Sequence, residues 1–314
     1  MSILSDLVAR FRSPQSQAER YARQLDDARN VISGPAGSKA LRPLIRQGTA
    51  TLADPVSQMC TAAQFSEPAY AHWCKAMGVG LHMHRKQWEF VFILHSLHVR
   101  GAIKAGARGL GFGVGREPLP AVFAARGCEI VATDLAAEDE RAQAWHDTSQ
   151  HVSDVENLIW PRICPPETVR RQVTFRPVDM TNIPSDLRDF DFNWSSCAFE
   201  HLGSIAAGLR FIEKTMDCLK PGGLSVHTTE LNLSSNRKTV DNLSTVLFRR
   251  RDFEELALRL TEQGHEVMPL CFDSGDQPLD RHVDLPPYSA NDHLRLALHD
   301  FVSTSFGIVV RKAG

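Results

Sequence analysis

The chain has 314 residues, 43% of them hydrophobic, enough for one large α/β domain with an extension or for two modest domains. Lys and Arg number 35 against 37 Asp and Glu, a formal charge of -2, which excludes the global basic field that usually supports nucleic-acid binding and leaves room only for a local patch. Seven cysteines, at positions 60, 74, 128, 164, 197, 218 and 271, are scattered and never spaced as C-x-x-C, so neither a disulfide framework nor a zinc site is suggested.

The opening "MSILSDLVARFRSPQ" has Asp6 inside its only apolar stretch and lacks a small-residue cleavage pattern, so it does not read as a signal peptide. The longest apolar run, "FVFILHSLHV", contains two histidines and is too short to span a bilayer. A cytoplasmic protein without a membrane span is expected. Residues 16–31 are polar and helix-favouring before the break "SGPAGS", and the spacing predicts a first helix standing off the core. A second helical region is expected over 66–98, where aromatic and aliphatic residues recur at helical spacing. Residues 1–104 therefore read as a helical extension or cap, and 105–314 as the main domain.

From residue 105 the texture becomes strand, glycine turn, helix, repeated. "ARGLGF", "EIVATD", "VTFRPVD", "FDFNWSS" and "LSVHTTEL" are candidate strands, and "IAAGLRFIEKTMDCLKPGG" is a helix with a Pro-Gly-Gly stop. "RDFEELALRLTEQG" is a helix whose Asp252 and Glu255 fit a capping box, followed by "HEVMPLCF" and "STSFGIVVRK" as two last strands. Such alternation predicts a doubly wound α/β fold, a mostly parallel seven-stranded Rossmann-like sheet covered on both faces.

Gly109, Gly111, Gly113 and Gly115 alternate ahead of a short apolar helix. Bare backbone there serves either a strand-to-helix turn or a close-approaching ligand, and three glycines from Gly111 exceed what a turn needs. A dinucleotide fingerprint fails on spacing, because Arg116 stands where G-x-G-x-x-G wants its third glycine, and no Lys and hydroxyl pair completes a phosphate loop.

G-x-G-x-G over Gly111, Gly113 and Gly115, then a helix, then a strand ending in Asp134, resembles the class I S-adenosylmethionine-dependent methyltransferases. "RPVDMTNIP", "DFDFNWSSCAFEHLGS" and "CLKPGGLSVHTTE" resemble further motifs of that family, in the expected order across roughly residues 105–312. The resemblance implies S-adenosylmethionine as cofactor. It implies that the glycine loop approaches the methionyl part, that Asp134, with Leu135 beside it, binds the ribose hydroxyls, that Asp179 lies near the adenine amino group with Met180 beside the ring, and that Glu200 and His201 line the cofactor and substrate mouth. The family usually has an acidic residue two positions before the first loop glycine. Here that position is Gly109, and Glu117 or a residue of the extension is expected to substitute.

Each residue also has a plainer reading. Asp134 fits an N-cap or a surface loop, and Asp179 before "MTNIP" fits turn chemistry. His201 is either a general base or a packing residue that orients its loop, and His227 and Glu230 face the same choice, Glu230 lying nearer the strand's C-terminal edge. In "HRKQWEF", residues 84–90, the segment either closes over the cofactor pocket or touches substrate, or else it buries Trp88 and Phe90 while its charges stay solvated. "FRRR" at 248–251 either binds an anionic acceptor or is simply solvated. His82 and His84 alone do not make a metal site, and no metal is expected. The candidate bases are His201 and Glu230. The expected reaction is in-line methyl transfer to a small-molecule or sugar-containing, glycan-type acceptor, with no nucleic-acid partner and with an oligomer allowed. Two rivals are a catalytically silent methyltransferase-like subunit, motivated by Gly109, and an oxidoreductase with an atypical nicotinamide loop.

Overall fold

The computed structural model describes residues 14–35, 37–142, 150–288 and 292–314; most of the opening segment read for a leader lies outside them. In chain order the elements begin with α1 (Pro14–Ile32), β1 (Ser57–Met59), α2 (Pro68–Ala76) and α3 (Arg85–Val99). Next come β2 (Arg108–Gly111), α4 (Leu119–Ala124), β3 (Glu129–Asp134), α5 (Pro166–Gln172), β4 (Val173–Pro177), β5 (Phe190–Ser196), α6 (Ile205–Thr215) and β6 (Leu219–Asn232). The chain closes with α7 (Arg250–Glu262), β7 (Glu266–Val267), β8 (Leu270–Cys271), α8 (Pro278–Arg281), β9 (Val283–Asp284), β10 (Arg295–Leu298) and β11 (Phe301–Arg311).

One sheet runs in the order β4-β3-β2-β5-β6-β11-β1-β8. The first five strands are mutually parallel, and β11 is antiparallel to β6. Among the described residues this sheet has eleven strands: the seven expected, the sixth of them split into β7 and β8, joined by β1, β9 and β10. The split has a structural cause. β7 pairs with β11 at Val310 and Arg311, β1 takes over the same edge at Phe306 and Gly307, and β8 continues on the far side of β1.

Among the described residues, the segment before residue 105 thus has three α-helices, a strand inside the sheet and, over residues 33–56, mostly turns and extended chain, and it covers both faces. On one face α2 and α3 bring Trp73, Trp88 and Phe92 against Phe123, Phe192 and Trp194. Gly307 makes that contact close, since a Cβ there would lie 2.1 Å from the Phe92 ring. On the other face α1 does not stand off. It buries Tyr21, Ala28 and Ile32 in a core shared with Phe211, Phe253 and Phe306, because its apolar residues fall on one side of an otherwise polar helix.

What holds the end of α1 is Arg250. Its guanidinium is buried, pairs with Glu254 at 2.7 Å, and donates to the carbonyls of Ile32 (3.0 Å) and Gly34 (2.6 Å), so the unsatisfied oxygens of a helix C-terminus meet a cation. "FRRR" is therefore neither solvated nor an acceptor site at this residue. The capping box of α7 also differs from expectation. Asp252 sits in the first turn and accepts from Arg249 N (2.7 Å) and Nε (2.8 Å), while Glu255 takes no part. Lys220 to Gly223 do not stop a helix but bulge the start of β6, where Leu219 faces Phe190 and Leu224 faces Phe192.

Candidate functional site

The C-terminal ends of β2, β3 and β5 open into a cavity of about 910 Å³. The glycine turn forms its floor. Gly113 and Gly115 have φ of 55° and 50°, a left-handed conformation that side chains resist. A Cβ on Gly113 would stand 2.9 Å from Ala198 Cβ and 3.2 Å from Met180 Sδ. Gly111 lies one step back, packed under Trp194, whose ring leaves no room for a side chain.

Asp134, at the end of β3, lines the cavity with Leu135. Its Oδ2 accepts from Gly115 N (3.2 Å) and its Oδ1 from Leu135 N (2.8 Å), so the strand end and the glycine turn are stitched together. Burial pushes the carboxyl up, against those amides and the nearby His151. A carboxylate offers about four lone-pair sites, which leaves acceptor capacity toward the cavity.

Asp179 and Met180 also line the cavity. The Asp179 carboxylate is well occupied: Thr181 N and Oγ1 donate to Oδ1 at 2.8 and 2.7 Å, and Arg141 pairs with Oδ2 at 2.7 Å. Burial pushes its pKa up, but these partners bring it down overall.

The absence of an acid at Gly109 has a steric cause, since a Cβ there would lie 2.4 Å from Phe192 Cζ. Glu117 supplies a carboxylate to the same cavity from the far side of the turn. It is buried, accepts from Trp194 Nε1 at 2.7 Å, and burial drives its pKa well up.

The remaining calls divide. His201 lines the mouth, and Ser244 O lies 2.9 Å from its Nδ1. A carbonyl can only accept, so the proton is on Nδ1 and Nε2 is the basic nitrogen of the neutral ring. Glu200 lies behind the wall, taking a hydrogen bond from Thr229 Oγ1 (2.9 Å) while its carbonyl holds Val246 N (2.9 Å). His227 is wholly buried between Ser195 and Ser225, away from the cavity lining. Glu230 is not at the cavity either. It pairs with Arg85 at 2.6 Å and accepts from Ser303, which makes it part of the scaffold rather than a base facing an acceptor. Burial pushes Glu230 up, but Arg85, Lys86 and Ser303 hold it below its usual range.

Sequence reasoning missed most of what α3 contributes. Lys86 and Phe90 line the cavity, Trp88 is core, and the charges beside them are not solvated. Glu89, at 0% exposure, receives Ser305 Oγ (2.5 Å) and Cys197 Sγ (3.1 Å) on Oε1, and Ser196 Oγ and Thr228 Oγ1 (3.1 Å each) on Oε2. Cys197, at the end of β5, takes φ of 44°, a strained backbone for a residue with a side chain, at a point where it lines the cavity. The helical spacing of Arg85 and Glu89 was legible, but their partners come from the end of β5 and from β6 and β11. Cys197, Glu200 and Glu230 place possible metal-ligand atoms within 4.8 Å of one another, yet the Arg85 guanidinium already supplies a cation there.

No family model matches the chain, and a search of curated proteins finds no match. Solved structures do resemble it. One is the [4+2]-cyclase SpnF, with 14% identity, 82% of this chain and 98% of that one covered, and a TM-score of 0.45. Another is an S-adenosylmethionine-dependent methyltransferase from Clostridium acetobutylicum, with 12% identity, 78% and 98% covered, and a TM-score of 0.40. A third is Haemonchus contortus phosphoethanolamine N-methyltransferase 2 in complex with S-adenosyl-L-methionine, with 16% identity, 81% and 58% covered, and a TM-score of 0.42. At these identities the likeness is one of backbone course. The strand order, the reversed β11 and the glycine turn at the end of β2 together make this a Rossmann-like, mostly parallel α/β fold. Among the described residues no helix is long and apolar enough to cross a membrane.

Proposed function

We propose that the protein binds S-adenosylmethionine in the 910 Å³ cavity and transfers its methyl group to a small-molecule or sugar-containing acceptor. The observation that carries this reading is the convergence of Gly113, Gly115, Asp134 and Glu117 on one cavity at the sheet's C-terminal edge. When bound, the cofactor supplies a methyl group on a positively charged sulfur, which passes in line to the acceptor's lone pair while the sulfur keeps the bonding pair and becomes neutral. Asp134 accepts the ribose hydroxyls, and Leu135, Met180 and the backbone near Asp179 hold the adenine. Glu117, whose pKa is raised first by burial and further by Asp134 and Glu89, becomes the counter-ion of the cofactor's ammonium and takes the part that Gly109 cannot. Lys86 and Phe90 close the cavity and exclude water, and His201 Nε2 receives a proton where the acceptor must lose one.

Calorimetric titration with S-adenosylmethionine and S-adenosylhomocysteine tests the reading, with NADH as control. Wild type is expected to bind both sulfur compounds, and Asp134→Ala to lose about 30-fold or more, the worth of charge-assisted bonds to two hydroxyls. Failure of both to bind withdraws the assignment. His201→Ala is expected to cut turnover about 10²-fold with cofactor affinity intact, the usual worth of a positioned base; unchanged turnover removes it from the mechanism. Cofactor binding without turnover on any acceptor supports the silent subunit instead.

A further inference from the structure

A second cavity of about 420 Å³ adjoins the first, and Lys86, Phe90 and Arg116 line both. Its other walls are apolar on one side, with Met77, Val79, Pro118 and the Trp160 ring, a lining suited to a compact organic body.

The polar groups of this cavity are overwhelmingly donors. The Lys86 ammonium forms a long ion pair with Glu89 Oε2 at 3.7 Å, beyond hydrogen-bonding reach, and has no hydrogen bond among the described residues, so its N–H donors are not used up. Arg116 is exposed and forms no ion pair among the described residues. The Trp160 indole N–H is buried without a partner there, an unmet donor of the kind that folded proteins rarely leave. At the start of α3, His84 Nδ1 accepts from Lys86 N (3.1 Å) and its ring packs on His293 at 4.3 Å, with burial depressing its pKa to about 4. The ring is therefore neutral at pH 7 with its proton on Nε2, a further donor. Against these stand the Asp292 carboxylate and the side-chain oxygen of Gln87, whose amide nitrogen already donates to Gly80 O at 2.7 Å.

From this excess of donors we infer that the second cavity is the acceptor site and that it takes an organic anion, a carboxylate or phosphate monoester on a compact apolar body. Lys86 and Arg116 anchor the anionic group. Because both residues also wall the larger cavity, the anchor holds the rest of the acceptor next to the cofactor, where a nucleophile is needed. The inference rests on the methyltransferase reading above and narrows its acceptor class.

The test is calorimetry on the full chain saturated with S-adenosylhomocysteine, titrated with benzoate and phenyl phosphate and, for contrast, with benzyl alcohol and benzylamine. At least one anion is expected to bind about tenfold tighter than the neutral and cationic probes, as expected for charge-assisted pairing in a partly enclosed site. Lys86→Met and Arg116→Met, each held saturated with S-adenosylhomocysteine, are expected to weaken the anion about fivefold or more. Arg116 is exposed, so its replacement leaves the fold intact even if Lys86→Met does not. Equal binding of all four probes, no binding of either anion, or undiminished anion binding by Arg116→Met overturns the inference and leaves the methyltransferase reading standing. Loss of S-adenosylhomocysteine binding by the wild type overturns both.

Discussion

Replacing Arg85 with methionine is expected to destabilise the protein by about 3–5 kcal/mol, because it strips the partner from two buried carboxylates. Arg85 Nη1 lies 2.6 Å from Glu230 Oε1 and 3.6 Å from Glu89 Oε1, and neither acid has more than a few per cent of its side chain exposed. Burial is the largest single influence on the Arg85 guanidinium and disfavours its charge; only the attractions of Glu230, Cys197, Glu89 and Glu200 taken together outweigh that cost and raise its pKa. With the guanidinium gone, Glu230 loses the strongest influence holding its pKa down and moves above its ordinary value of 4.5. In the wild type Glu230 adds stability that is present above pH 4.5 and lost as pH falls through its depressed folded value. In the variant the sign reverses, and protonation of Glu230 stabilises the fold as pH falls. The gap between the two proteins, read from urea unfolding, should therefore be widest near pH 7.5 and narrow by pH 5. Adding Glu230→Met should restore part of the loss, since an apolar pair of similar volume replaces a broken ionic one. A cost below about 1 kcal/mol for Arg85→Met would mean that the pair is solvated and the cluster is not a structural unit.

That cluster marks the limit of what the sequence conveys. The strands from β2 to β6 were legible because apolar runs bounded by turn residues carry their own period, and "EIVATD" and "FDFNWSS" coincide with β3 and β5. The cavity floor was legible for the same reason: glycines at alternate positions and an acid at a strand end are local signals. Arg85, Glu89 and Arg250 were not. Charged residues at a helix start read as solvated, and only long-range packing supplies partners such as Glu230, Ser305 or the carbonyl of Ile32. β1 was missed because three residues, "SQM", carry too little pattern, and its place depends on β11 some 250 positions away.

The same remoteness explains where the proposed acceptor site falls. The sheet edge fixes the larger cavity, while Lys86, Gln87 and Phe90 of α3 form one wall of the smaller one. α3 is held in place by the Phe92 contact with Gly307 and by Glu89 beneath Ser196 and Cys197. Lys86 and Phe90 are thus positioned by the core of the protein rather than by a loop, which favours a preformed pocket.

Acid is expected to unfold the protein partly through His227, well away from the cavity lining. Asn193 Nδ2 donates to Thr215 O at 2.9 Å, which turns its Oδ1 toward Ser225 Oγ at 2.6 Å. Ser225, donating there, accepts from His227 Nε2 (2.6 Å), and Ser195 Oγ donates to Nδ1 (2.8 Å), so the ring is neutral with its proton on Nε2. Phe199 and Phe211 pack edge-on to it, and burial depresses its pKa to about 3 from 6.5. Between those two values the unfolded chain binds a proton that the folded one refuses. Stability therefore falls as pH drops below 6.5, by up to about 1.4 kcal/mol per unit. His227→Gln, a neutral amide that can donate and accept in the same place, removes this dependence at some fixed cost in packing. Urea unfolding at pH 7.0, 6.0, 5.0 and 4.5 should show the wild type losing roughly 2–3 kcal/mol more than the variant across that range. Parallel curves for the two proteins would mean that His227 takes up its proton inside the fold, with Ser195 turning to accept it, and that the buried chain from Asn193 to Ser195 tolerates charge.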